Sequence, residues 1–273
     1  MLHVFTIASD TTKVERLLKT ATWSGLHIEV IQLPRWRGFT DKIFAMRDVL
    51  EFVPEEDVVC FVDAYDVLCF THANEILEKF HSYQRDLVVS SELNCYPVEN
   101  EERYQPLLCL GTSTSKYQYV NSGGYIGYCG AIKRMLQWKT DTEIEEMCRL
   151  GGDQQYVTQY YLEFVHDDSV RIGLDVRQLM FQSMYKVSLR SFGWFDGRLY
   201  NHVLQSYPCF AHFNGFHDYQ NELVHCLSGK RENAMDVFVR KMQQSMQHGN
   251  ACMDYELPPL WYGGQLITTL PQT

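Results

Sequence analysis

The chain's strongest chemical signal is a carboxylate pair, Asp63 and Asp66, that closes the run Val58-Val59-Cys60-Phe61-Val62-Asp63-Ala64-Tyr65-Asp66. Five apolar residues lead straight into it, and in open α/β sheets ligands gather at the carboxyl ends of such strands. Two carboxylates leaving a buried strand repel one another and lose hydration, and a divalent cation relieves both costs. Oxygen donors suit Mg²⁺ or Mn²⁺, ions that keep coordination positions open for phosphate oxygens. Equally, Asp63 could cap a turn while Asp66 stays solvated. A second apolar run, Cys209-Phe210-Ala211, delivers His212 ahead of Phe213-Asn214-Gly215. On its own such a histidine is usually a hydrogen-bonded core residue. Beside a carboxylate pair it becomes a candidate third ligand, and imidazole in the set favours Mn²⁺. No H-x-x-x-H pair exists, so a hydrolytic zinc site is not expected.

Three further segments could serve such a site. Val120-Asn121-Ser122-Gly123-Gly124-Tyr125 places paired glycines in a strand-like run, which calls for a bulge or a close approach of backbone or ligand. Its exposed N–H groups, with Asn121 and Ser122, could meet sugar hydroxyls. Gly151-Gly152-Asp153-Gln154 opens a helix, with Asp153 as its N-cap. Trp36 and Lys42 could stack a base and meet a phosphate, or could be ordinary surface residues.

The elements that must position these groups alternate. Leu2–Ala8 reads as a strand, and Ser9, Asp10 and Thr11 cap a helix running to Ser24. His27–Leu33 and Val58–Val62 read as strands around a helix from Asp41 to Phe52, which implies βαβ units and a largely parallel sheet. Further strands are expected at Leu87–Ser90 and Tyr119–Tyr128, and helices at Ala131–Lys139 and Gly152–Leu162. Short strands and turns fill Arg171–Phe213. Arg231–His248 reads as a helix that packs Ala234, Phe238, Met242 and Met246 inward. No repeat, linker or low-complexity tract appears, so residues 1–273 are read as one domain.

Composition narrows the classes. With 45% hydrophobic and 21% charged residues the chain can form a sizeable core, and wholesale disorder is excluded. A net charge of −10 disfavours a nucleic-acid binder, although a metal ion could still recruit a phosphate-bearing ligand. No apolar run reaches membrane-span length and no basic-flanked leader is visible. The nine cysteines form no CxxC pair, which suits reduced structural thiols and a cytoplasmic setting.

In order, FVDAYDVL, SELNCYP, YVNSGGYIGY, GGDQQYVTQYYLE, LDVRQLMFQ and HFNG resemble the glycosyltransferase domain of the multifunctional procollagen lysyl hydroxylases. The resemblance covers roughly Leu2 to Asn221, and stand-alone relatives of this domain occur in large DNA viruses. It implies a single α/β domain of GT-A (Rossmann-like) type, with a mixed, mostly parallel sheet flanked by helices. Residues 1–120 would form the nucleotide half, 121–220 the donor-sugar and acceptor half, and 221–273 a C-terminal helix and tail.

Carried over by position, Asp63, Asp66 and His212 resemble the family's metal ligands. Thr6, Trp36, Lys42 and Tyr65 fall where uridine and diphosphate are held. Asn121, Gly123 and Gly124 fall beside the donor sugar, and Asn214 and Gly215 complete the donor pocket. Asp153 and Gln154, with Asn121, become the catalytic candidates, and Tyr96 stands in a loop near the acceptor. The implied activity is a Mn²⁺-dependent transfer of glucose from UDP-glucose to galactosyl-hydroxylysine of a collagen-like polypeptide, with retention. Retention points to front-face attack, or to Asp153 as nucleophile. UDP-galactose as donor, direct addition to hydroxylysine, a metal-dependent nucleotidyltransferase and a glycan-binding module are the alternatives. A homodimer is left open. Two departures from the family stand out: its acidic run shrinks to Asp153 after two glycines, and Phe213-Asn214-Gly215 replaces a Gly-Asn-Gly turn with a nearby lysine. His217 is the substitute cation considered there.

Overall fold

The computed structural model describes residues 1–109, 115–188, 191–195, 197–215 and 234–247, with short paired strands at 224–225 and 231–232 and at 261–262 and 265–266. His217 lies outside the described residues, as do most of 221–273. Strand β1 (Leu2–Ala8) runs into a 3-10 turn, whose Asp10 cap accepts from the Thr12 backbone N–H, and then into α1 (Glu15–Trp23). Next come β2 (Glu29–Gln32), α2 (Thr40–Leu50), β3 (Val58–Val62), β4 (Val67–Cys69) and α3 (Ala73–Ser82). They are followed by β5 (Leu87–Glu92), α4 (Glu101–Cys109), β6 (Tyr119–Tyr128), α5 (Cys129–Leu136) and α6 (Asp141–Phe164). Short strands β7 (Ile172–Leu174), β8 (Phe181–Ser183), β9 (Phe192–Phe195), β10 (Arg198–Asn201) and β11 (Phe210–His212) precede α7 (Ala234–Gln247).

The central sheet has the order β2-β1-β3-β6-β5-β7 and is parallel except for β6, which runs antiparallel to both neighbours. That is the expected mixed, mostly parallel sheet. β3 shows why a continuous apolar run is needed at its centre. Val59 and Phe61 point into a core roofed by α2, α5 and α6, whereas Val58, Cys60 and Val62 point into a second core with α1 and α3. None of the five is more than 4% exposed. A small sheet, β4-β11-β8, sits at the carboxyl end of β3 and leans on a third core beneath α7.

Differences from the sequence expectations have local causes. α3, α4 and the first half of α6 were not expected, and α6 is interrupted where Gly151 and Gly152 leave helical geometry. Gly152 has φ 69°, a left-handed conformation that suits glycine, and a Cβ on Gly151 would fall 2.1 Å from the Pro97 ring. The first half of α6 starts with a reciprocal capping box between Thr140 and Glu143, a signal that is readable in TDTE. In α7, Phe238 and Met242 are buried as expected but Met246 is 54% exposed, one turn past the end of the core. All seven described cysteines are free thiols. Among the described residues no helix is long and apolar enough to cross a membrane.

The approach to β8 is clamped by one buried acid. Asp175, 0% exposed, accepts backbone N–H bonds from Leu179, Met180 and Phe181 at 2.7–2.8 Å, and the Tyr83 hydroxyl donates to it as well. Burial pushes its carboxyl up to about 6 in spite of these donors. Asp175→Ala strands three N–H groups, two of them buried, and a loss of about 3 kcal/mol is expected in urea unfolding. An unchanged midpoint would show that the clamp contributes nothing.

Candidate metal centre and cavity

The end of β3 is tied to its neighbours by backbone before any side chain acts. Asp63 N–H donates to Gly123 O at 2.9 Å, and Phe213 N–H donates to Asp66 O at 2.7 Å. The second bond continues the antiparallel pairing in which His212 faces Val67. Three segments distant in sequence therefore meet at one point, and Asp63, Asp66 and His212 each offer a ligand atom within 4.8 Å of the others.

The glycine pair expected to form a bulge or a close approach does both. The β5–β6 register jumps from Val89↔Tyr125 to Ser90↔Asn121, so Ser122, Gly123 and Gly124 leave that ladder. A Cβ on Gly123 would lie 2.1 Å from His212 Cε1 and 2.9 Å from Asp63 Oδ2, so only glycine admits the imidazole here. Gly124 faces the core instead, where a Cβ would fall 2.6 Å from the Phe181 ring.

Asn121 fixes the imidazole. Its Nδ2 donates to Glu92 Oε1 at 3.1 Å, which turns Oδ1 towards Gly123 N–H and His212 Nδ1, each at 3.1 Å. Oδ1 can only accept, so Nδ1 carries a proton, and when the ring is neutral the Nε2 lone pair faces the carboxylates. Nε2 is 3.2 Å from Asp66 Oδ2 and 3.7 Å from Asp63 Oδ2. Burial disfavours the imidazolium, yet Asp66 and Asp63 overcome it and raise the His212 pKa. Burial also raises Asp63, with Lys42 and His212 offsetting only part of the effect. For Asp66 the balance reverses: His212 and Lys42 outweigh burial and lower it. Two carboxylates and an oriented imidazole at the edge of a cavity form a donor set that fits a divalent ion such as Mn²⁺.

The cavity has a volume of about 740 Å³. Of the residues expected to form the site, Lys42, Asp63, Asp66, Asn121, Gly123, Asp153, Gln154, His212, Asn214 and Gly215 line it. The break at Gly151-Gly152 aims the Asp153 side chain inward, where it meets Lys42 Nζ rather than capping its own helix. Thr6, Trp36, Tyr65 and Gly124 are not in the lining. Thr6 is 0% exposed in β1, its Oγ1 without a hydrogen-bond partner among the described residues. Tyr65 accepts N–H bonds from Ser9 and Asp10 at 3.0 Å, pinning the loop after β1. Trp36 stands one contact outside, edge-on to the cavity residue Phe39 at 5.7 Å.

Glu92 is a cavity residue that the sequence reading misses. At 4% exposure it accepts from Asn121, Gln154 and Asn214 at 2.8–3.1 Å, and burial raises its pKa. A signal for it exists: Leu87-Val88-Val89-Ser90-Ser91-Glu92 is another buried run that ends in a carboxylate.

Two outcomes are expected. Gly123→Ala should displace His212 and weaken Mn²⁺ binding by about 10-fold to 100-fold, read by calorimetric titration, because disturbing the groups that orient a ligand acts on that scale. Protons compete with the ion for His212 Nε2, and the raised pKa places that competition above the ordinary 6.5. Mn²⁺ affinity should therefore be fully present at alkaline pH and fall by about tenfold per pH unit as pH drops through the raised value. A flat profile would remove His212 from the ligand set.

The sequence matches the PLOD GT domain family across residues 1–229. An uncharacterized protein, R699, of Acanthamoeba polyphaga mimivirus is 30% identical over 50% of this chain and 26% of its own length. Human procollagen-lysine,2-oxoglutarate 5-dioxygenase 2 is 25% identical over 67% of this chain and 25% of its own. The rat multifunctional procollagen lysine hydroxylase and glycosyltransferase LH3 is 27% identical over 51% of this chain and 18% of its own. The chain thus spans about a quarter or less of the curated relatives it matches. With the family model covering most of its length, the chain belongs to the PLOD GT domain family of glycosyltransferases.

Proposed function

We propose that the protein is a Mn²⁺-dependent hexosyltransferase that moves glucose from UDP-glucose to galactosyl-hydroxylysine in a collagen-like polypeptide, with retention. The observation that carries this reading is the Asp63–Asp66–His212 cluster in the wall of a cavity whose other charged residues include Asp153 and Lys42. A bound divalent ion would supply a Lewis acid for the leaving diphosphate. Asp63, Asp66 and His212 would hold it, and the Asn121 contact keeps the imidazole in the ligating tautomer.

The chain's own residues divide the remaining work. Asp153 and Gln154 enter from the break in α6 and would flank the sugar. Gln154 is held by Ser122 N–H at 3.3 Å and Glu92 at 2.8 Å, so it is preorganised rather than mobile. Trp36 and Tyr65 would take the uridine, from the loops beside β1, and Gly123, Asn214 and Gly215 would border the sugar. Tyr96, 57% exposed on the rim, would meet the acceptor. Residues 1–120 would then be the nucleotide half of one domain and 121–220 the sugar and acceptor half. The relative named as a lysine hydroxylase and glycosyltransferase supports an acceptor of the hydroxylysine class.

The test is UDP release. With Mn²⁺, UDP-glucose and a galactosyl-hydroxylysine peptide, turnover should exceed that with UDP-galactose or with unglycosylated hydroxylysine peptide. Asp66→Ala should lower it by about 100-fold or more while the thermal transition is retained. No release with any UDP-sugar, or full activity in Asp66→Ala, would overturn the proposal.

A further inference from the structure

Lys42, the residue expected to meet a phosphate, lines the cavity. Its ammonium lies between two carboxylates, 2.5 Å from Asp63 Oδ1 and 3.4 Å from Asp153 Oδ2. The side chain is 16% exposed, and the Phe39 ring lies 5.9 Å from Nζ. Burial opposes its charge, but Asp153 and Asp63 outweigh that and raise its pKa, so it is a fixed cation. The two acids differ in one respect. Asp63 belongs to the trio that fits a divalent ion, and Asp153 does not. The ammonium takes Asp63 Oδ1, while Oδ2 is the oxygen that faces His212 Nε2 at 3.7 Å, so Lys42 opposes an ion there as a second cation at close range. Asp153 offers the displaced ammonium a second acceptor already within reach.

We propose that Lys42 is a positioning residue with two stations. In the ligand-free protein it neutralises Asp63 from the Oδ1 side, and on metal entry it passes to Asp153 and fixes that carboxylate at the sugar side of the cavity. The proposal rests on the metal reading given under Proposed function. Removing Lys42 from the empty site would leave Asp63, Asp66 and Asp153 together with too little compensating charge. Keeping it pinned to Asp63 would set two cations against one carboxylate and weaken the ion's hold. Two stations meet both demands, and they couple metal occupancy to the geometry of Asp153.

The test uses the full chain and Mn²⁺ alone, with no donor, followed by the electron paramagnetic resonance of the free ion. Lys42→Met should bind Mn²⁺ about fivefold more tightly than wild type, the effect of deleting a competing contact of ion-pair strength. The same variant should lose about tenfold in kcat, because Asp153 is no longer fixed. Asp153→Asn should then cost far less in the Lys42→Met background than in wild type. A merely structural lesion would weaken metal binding and turnover together. If Lys42→Met does not fold, Lys42→Gln, which keeps a hydrogen bond and loses the charge, is read in the same way. Unchanged or weaker Mn²⁺ binding in the variant overturns the two-station role and leaves the metal site standing. A wild-type chain that takes no Mn²⁺ overturns both.

Discussion

Asp63, Asp66 and Asp153 are crowded into one partly buried pocket, and much of the surrounding structure follows from making that tolerable. Water cannot fully solvate three carboxylates there, so the protein supplies Lys42 between two of them and His212 against the third. His212 reaches its place only because Gly123 carries no side chain, and it presents Nε2 only because Asn121 Oδ1 accepts from Nδ1–H on the far side. Asn121 in turn is oriented by Glu92, which also holds Gln154 and Asn214. One charge problem thus recruits residues from β3, β5, β6, β11 and the break in α6.

The two sides of the site are built differently. The metal side is made of strand ends, β3 and β11, whose positions are set by ladder hydrogen bonds and by side chains only 0–5% exposed. Such ends are rigid because moving them means breaking the sheet. Asp153 depends instead on a helix interrupted at Gly151-Gly152, with Pro97 packed where a Cβ would be. Asp153 takes Lys42 as its partner at 3.4 Å. That side of the cavity therefore relies on one ion pair rather than on a ladder of backbone bonds.

Buried amides do much of the orienting. Gln178 and Gln182 lie in a chain of hydrogen bonds that reaches Ser183, whose hydroxyl donates to Asn214 Oδ1 at 2.9 Å. That leaves Asn214 Nδ2 to donate to Glu92 Oε2 at 3.1 Å. Each amide is fixed at both ends, which settles its orientation without a ligand. The clamp at Asp175 anchors the start of this chain, since Gln178, Leu179 and Phe181 follow it directly.

By itself the sequence determined the strands that end in chemistry. Val58–Val62 and Phe210–His212 were legible because a buried strand must be continuously apolar, so a carboxylate or imidazole closing it stands out. The ordered motifs pointed to the family, and the alternation of strand and helix signals pointed to a largely parallel sheet. What it could not decide were relations between segments: that β6 runs antiparallel between β3 and β5, that Asn121 stands behind His212, and that Lys42 pairs with carboxylates. Glu92 stayed hidden for the same reason, since a lone acid ending a strand gains meaning only from the three amides folded against it. Spacing along a chain reports which residues share an element, and only tertiary packing decides which elements bring their ends together.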